Sequence, residues 1–310
     1  MIGSIHVYII TSVTVVLRIA QPIDARNLGS TMALRLDPFY ADKTPCVRCW
    51  VLLQREVSIR LSKILAGIDL AWVSTRNPTA IAVGFKSGRT LTLEKLLTDL
   101  YGVEEIVSGL SAIKHLHGVT IDGPTVITNA TGRRPCENQL TRVYGGRKAG
   151  CHATNLSRYP DSDGVALGSW LQSKGFNHLG DRVGRWQLEC YPHPALIEIF
   201  RLEERHLYKK GDVSQKRFGQ IHLAKMLMSL KASEILALQI PEQFRFHFSR
   251  TRILGLRGRA LKHNEDVLDA IVCMYIAGLY QSGCRNKVFG DVSEGYIYVP
   301  QVTCTQGKGV

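Results

Sequence analysis

Asp266 and Asp269 stand three residues apart in the segment LKHNEDVLDAIVCMYIAG, Leu261 to Gly278. From Val267 onward that segment is apolar around most of its circumference, the composition of a helix buried against a sheet. Residues i and i+3 share a helix face, with Cβ atoms roughly 5–6 Å apart. Two like charges there destabilise the helix unless something positive lies between them. Three further carboxylates sit in or at the ends of apolar strand-like runs: Asp69 in GIDLAW, Asp122 in TIDGP and Glu189 in LECYP. A charge in such a run is costly unless it is paired or bound to a cation. Together the five acids point to a shared cation site. Hard oxygen donors suit Mg²⁺ or Mn²⁺, which keep several waters and accept phosphate oxygens. Two such ions roughly 3.5–4 Å apart can serve in-line displacement at phosphorus.

A plainer reading competes. Asn264 as an N-cap would put Asp266 in a first turn, where an acid opposes the helix macrodipole favourably, by roughly 0.3–1 kcal/mol. Asp269 would then be a solvated second-turn residue.

The charge balance and a long basic segment bear on the choice. The chain has 310 residues, with 39 Lys and Arg against 26 Asp and Glu, a net charge of +13. That surplus favours a polyanionic partner, with nucleic acid the first candidate, although solubility alone gives the same number. Residues 128–185 are rich in Gly, Arg, Asn and Ser with little apolar period. Arg133, Arg134, Arg142, Arg147, Lys148 and Arg158 form a basic series there, with Tyr144 and Tyr159 interleaved. Such a series suits phosphate contact and base stacking, against the alternative of a solvated loop.

The elements that would position these groups read as mixed α/β. KILAGIDLAW and PTAIAVGF form a hairpin across VSTRN, and GRTLTLEKL supplies a third strand. VEEIVSGLSAIKHLHG has apolar residues at helical spacing and stops at Gly118. VTIDGP is a buried strand broken at Gly123-Pro124. WQLECYPHP is a strand closed by Pro192 and Pro194, followed by helices. Trp72 and Trp186 read as packing residues. His193, between two prolines, reads as a turn residue rather than a base. His115, His117 and His152 have no partner spacing.

We expect three regions: an arm over residues 1–62, a domain over 63–285 carrying the loop-rich insertion at about 128–185, and a tail over 286–310. The apolar N-terminal run has no basic flank and is interrupted by Arg18, which argues against a signal or membrane span. Met32 is a second candidate start. Cysteines are scattered, and Cys46-Val-Arg-Cys49 has no second pair at zinc-site distance. A reducing, cytoplasmic setting without membrane contact is expected, and a homodimer is left open.

The motifs GIDLAW, IDGP, RRPCENQLTR, LECYPHP, YKKGDVSQKRFGQIHL and NEDVLDAIVCMYIA, in this order, resemble the predicted RNase H-like nucleases of domain of unknown function 429. The resemblance covers roughly Leu65 to Tyr280. It implies a ribonuclease H-like fold: a five-stranded mixed sheet, the first three strands antiparallel, with helices on both faces. It also implies a metal site with Asp69 from the first strand, Asp122 from the fourth, and Asp269 with its neighbour Asp266 from the late helix. Glu189 and His193 match a Glu-x-x-Pro strand, with Glu189 a candidate ligand, and Lys210 and Arg217 are candidate phosphate contacts.

The expected activity is therefore metal-dependent phosphodiester hydrolysis of DNA or RNA. An actin-like phosphotransferase would need two halves with glycine-rich phosphate loops, and one half is visible. A non-catalytic nucleic-acid-binding or scaffold protein of the same fold predicts Asp69, Asp122 and Asp269 far apart.

Overall fold

A computed structural model describes residues 62–72 and 76–302, together with two short strands near the N-terminus. Those strands, β1 (Ile5–Ile9) and β2 (Val15–Ile19), pair antiparallel in a unit spanning Met1–Arg60. The remainder of the expected arm, including Met32 and the Cys46–Cys49 pair, lies outside the described residues, as do residues 303–310.

The second unit, Leu61–Val310, is built on one nine-stranded mixed sheet. Strands β3 (Lys63–Asp69), β4 (Thr79–Ser87) and β5 (Thr90–Leu100) form an antiparallel meander. Helix α1 (Gly102–Ser111) leads into β6 (Leu116–Asp122), which returns parallel to β3. The expected loop-rich insertion contains two helices, α2 (Pro135–Tyr144) and α3 (Asp163–Ser173), and a two-residue strand β7 (Asn177–His178). Strand β8 (Trp186–Cys190) pairs parallel with β6 and is followed by α4 (Pro192–Phe200). The five expected strands thus lie side by side as β5-β4-β3-β6-β8.

The sheet extends beyond them at both edges. Helix α5 (Val213–Ser229) precedes β9 (Ala237–Gln239), which pairs with β5. Helices α6 (Arg250–Gly255) and α7 (Gly258–Gln281) follow. Residues 286–300, expected as a tail, form the hairpin β10 (Asn286–Asp291) and β11 (Gly295–Pro300), with β11 joining β8.

Strand alternation divides the core into two layers. Leu65 packs in the layer with α7, while Ala66 and Ile68 pack in the opposite layer with Ile106 and Leu110 of α1 and Leu167 and Leu171 of α3. Leu65, Gly67 and Asp69 therefore share the α7 face. At Gly67 the helix presses directly on the strand: a Cβ built there would lie 1.8 Å from the Met274 backbone nitrogen. On the neighbouring strand, the Thr120 hydroxyl donates to the Cys273 carbonyl at 2.5 Å. This contact fixes α7 across the first and fourth strands of the unit, its chain running opposite to β3.

Helix α7 begins at Gly258, so Asn264 is not its N-cap and Asp266 and Asp269 stand well past the first turn. Asn264 is fully buried and ties helices together. Its amide donates to Gln220 Oε1 at 3.1 Å, and its oxygen accepts from Arg252 Nη1 at 2.8 Å. The macrodipole account of the two aspartates loses its premise.

Candidate functional site

Asp69 and Asp122 are register partners at the C-terminal ends of adjacent parallel strands, β3 and β6. Both project toward α7, where Asp266 and Asp269 face the sheet from the buried side of the helix. Asp69, Asp266 and Asp269 are 9%, 4% and 0% exposed. Four of the five expected acids are thus brought together.

Glu189 is not among them. Its position on β8 pairs with Ile121, while Cys190 pairs with Asp122. Period-2 alternation therefore turns Glu189 to the opposite face of the sheet. There it forms a two-pronged ion pair with Arg134, 3.0 Å from Nη1 and 2.6 Å from Nη2, and accepts the Thr125 amide at 2.9 Å. Both partners are about 3% exposed. Glu189 and Arg134, expected as a ligand and a phosphate contact, satisfy each other as a structural pair.

Two lysines that the charge pattern did not single out hold the acid cluster. Lys209 Nζ lies 2.8 Å from Asp269 Oδ2 and 4.0 Å from Asp122 Oδ2. The Tyr208 hydroxyl donates to the other Asp269 oxygen at 2.5 Å. Lys262, one turn before Asp266 on α7, contacts Asp266 Oδ1 and lies 3.0 Å from Glu265. That spacing of i to i+3 and i+4 was legible in the sequence. The Tyr208-Lys209 anchor was not, because it comes from a loop 60 positions away whose docking is tertiary.

The electrostatics follow from crowding. Burial, then Lys209 acting against it, then the Asp69 charge leave Asp122 raised to about 8. Burial and the charge of the neighbouring Asp69 raise Asp266 to about 8. Burial also lifts Asp269 to about 6, less far because Lys209 and Tyr208 favour its charged form. Burial opposes the Lys209 ammonium, yet Asp269, Asp69 and Asp122 together hold it well above its ordinary value. Such clustered perturbation marks candidate functional sites.

A cavity of about 370 Å³ opens beside the cluster. Asp69, Asp122 and Asp266 line it, and so do His193, Arg205 and Lys210. His193 sits in the first turn of α4, 9% exposed, with Nδ1 lacking a hydrogen-bond partner. Burial and the Lys209 and Arg205 charges push its pKa well down.

Among the described residues, no group of three or more His, Cys, Asp or Glu side chains is arranged to hold a metal ion as the side chains stand. The ammonium groups of Lys209 and Lys262 occupy the acids instead. The donor set nevertheless fits Mg²⁺ or Mn²⁺: it is all carboxylate, and Asp266 Oδ2 is buried with no hydrogen-bond donor.

The basic series splits by role. Arg147 pairs with Glu198 at 3.2 Å and donates to the carbonyls of Leu202 and Glu203, and Lys148 meets Glu204 at 2.5 Å. Both fasten residues near α2 to the segment after α4. Tyr144 is buried, its hydroxyl on Glu198 at 3.0 Å, and offers no face for a base. Arg133, Arg142, Arg158 and Lys210 are exposed. Arg217 donates to the Leu256 carbonyl at 2.8 Å. Trp72 reaches the cavity wall and packs edge-on against Tyr159, 5.3 Å between centroids, whereas Trp186 is fully buried.

A family model described as protein of unknown function (DUF429) matches residues 67–294, well over half of the chain. The chain belongs to the DUF429 family. The matched stretch runs from the β3 glycine that receives α7 to the β10–β11 turn, and so contains all four clustered aspartates with both lysines. No curated protein and no solved structure matches the chain. No helix among the described residues is long and apolar enough to cross a membrane.

Proposed function

We propose that this DUF429 protein is a metal-dependent nuclease of ribonuclease H-like fold that hydrolyses phosphodiester bonds in DNA or RNA. The observation that carries the reading is the convergence of Asp69, Asp122, Asp266 and Asp269 at the C-terminal ends of adjacent parallel strands. Gathering four mutually repelling carboxylates is costly, and a cation-dependent site is a use that offsets the cost. The strand order third-second-first-fourth-fifth, with an antiparallel first three, supports the fold. A scaffold protein would have no need of the cluster, and the described residues contain one such sheet rather than the two an actin-like phosphotransferase requires.

Asp69, Asp122 and Asp266 would hold Mg²⁺ or Mn²⁺, which when bound would withdraw electron density from a phosphate and make a water a stronger acid. The protein's own groups do the rest. Arg205 and Lys210, which also line the cavity, would set positive charge beside a phosphodiester backbone, and Arg133, Arg142 and Arg158 are exposed and open to further phosphate contact. Asp122 and Asp266, raised to about 8, line the cavity and can take up or release a proton beside the attacking water. In hydrolysis the water oxygen bonds to phosphorus, the bond from phosphorus to a sugar oxygen breaks, and that oxygen takes up a proton.

The test is a panel of labelled single-stranded, duplex, hybrid and branched nucleic acids, incubated with wild type and Asp69→Asn in Mg²⁺ or Mn²⁺. Cleavage by wild type that is lost in Asp69→Asn and in chelator supports the reading. Binding without cleavage across the whole panel would favour the scaffold reading.

A further inference from the structure

Four acids suggest two ions, but they are not equivalent in this site. They divide into an open pair, Asp69 and Asp266, and a pair already bridged by a cation, Asp122 and Asp269. Asp269 has both oxygens engaged, Oδ1 by the Tyr208 hydroxyl at 2.5 Å and Oδ2 against Lys209 at 2.8 Å. It is fully buried and stands outside the cavity lining, so its oxygens face Tyr208 and Lys209 rather than an incoming ion. Asp266, by contrast, lines the cavity.

The two lysines differ in the same way. The Lys262 side chain is 55% exposed and leans on Asp266 from the solvent side of its own helix. Its ammonium can turn to solvent when a metal ion takes over the Asp266 charge, since more than half of the side chain is already exposed. The Lys209 side chain is 28% exposed and spans Asp269 and Asp122. It also lies over the Tyr208 ring, 5.7 Å from the centroid. Withdrawing it would leave Asp269, at 0% exposure, as an uncompensated buried charge.

We propose that Lys209 takes the place of a second divalent ion, so that this site holds one Mg²⁺ or Mn²⁺, on Asp69 and Asp266 with Asp122 at its edge. Asp269 and Tyr208 are then positioning residues that hold the Lys209 ammonium beside that ion. The ammonium supplies fixed positive charge between Asp122 and Asp269, the charge that a second ion would otherwise bring. The inference rests on the metal reading of the cluster given above.

Counting bound ions separates the two claims. Full-length wild type, Lys209→Met and Lys209→Gln are titrated with Mn²⁺ by calorimetry and by the electron paramagnetic resonance of free Mn²⁺. Thermal melts establish that each variant is folded. The expected stoichiometry is one ion for wild type and two for whichever lysine variant folds, since Asp122 and Asp269 are then released to bind metal. Two ions in wild type would overturn the inference and leave the metal reading standing, and this outcome needs no variant. One ion in wild type and one in a folded Lys209 variant would also overturn it. No ion in wild type at millimolar Mn²⁺ would remove the metal reading itself, and the inference with it.

Discussion

Arg134→Met tests the claim that Glu189 belongs to the scaffold rather than to the acid cluster. The guanidinium holds Glu189 through two nitrogens at 3.0 and 2.6 Å, Glu137 through Nε at 2.9 Å, and the Val126 carbonyl at 2.9 Å. Glu137 in turn accepts the Thr154 amide and hydroxyl. Removing the arginine leaves two buried carboxylates without their common cation. Breaking a buried pair from one side costs about 3–5 kcal/mol. In a domain of this size each kcal/mol lowers Tm by about 2–4 °C, so the expected loss is about 6–20 °C. Urea unfolding and differential scanning calorimetry of the two proteins measure it. A loss below about 1 kcal/mol, the range of exposed pairs, refutes the reasoning. The complementary variant, Glu189→Gln, is expected to lose stability but keep Mn²⁺ binding. Loss of Mn²⁺ binding in a folded Glu189→Gln protein would mean that Glu189 belongs to the site after all.

Other expectations follow from the same geometry. Asp122 and Asp266 are raised to about 8 and Asp269 to about 6, so the folded protein keeps protons that the unfolded chain sheds near pH 4. Their contribution to stability is full below about pH 4 and is lost as pH rises through about 6 to 8; the metal-free Tm is therefore expected to fall between pH 5 and 8.5. Mn²⁺ must displace those protons, so its affinity is expected to rise over the same interval, with proton release visible when titrations in buffers of different ionisation enthalpy are compared. A flat Tm and a flat affinity would contradict both. Gly67→Ala forces a methyl group against the α7 backbone and is expected to cost about 3 kcal/mol or to prevent soluble folding, read by urea unfolding. A near-neutral result there would mean that the helix does not press on β3. If the exposed basic residues meet phosphates, Arg142→Ala or Lys210→Ala weakens binding uniformly across sequences and lowers the salt slope by about one; an unchanged slope removes that residue from the interface.

Much of the architecture was legible because burial writes itself into the sequence with a fixed period. The alternation of β3 and β6 puts Asp69 and Asp122 on one parity with Gly67 and Thr120, and the apolar run after Val267 marks a helix that is buried all round. Glu189 looked equivalent to these acids because each sits among apolar neighbours. The register of β8 against β6 separates them, aligning Cys190 with Asp122, and register is set by tertiary pairing rather than by local composition. The start of α7 is hidden from composition for a related reason. Residues 258–260 begin with a glycine and are exposed, like a loop, and Asn264 has the chemistry of a cap but spends it on Gln220 and Arg252 in other helices. The basic series read as one surface, yet Arg134, Arg147 and Lys148 meet acids from distant segments, a pairing no spacing rule exposes. Lys209 escaped notice because an ordinary lysine in a polar loop gains its meaning only when Asp269 is seen beneath it.

The central claim is that these aspartates form a divalent-cation site, and a Mn²⁺ titration of wild type beside the double variant Asp69→Asn, Asp266→Asn tests it most directly. Saturable binding at sub-millimolar Mn²⁺ in wild type, abolished in a double variant that melts cooperatively, is the predicted result. Equal weak binding by both proteins would contradict the account and leave the cluster as acids held by Lys209 and Lys262 alone.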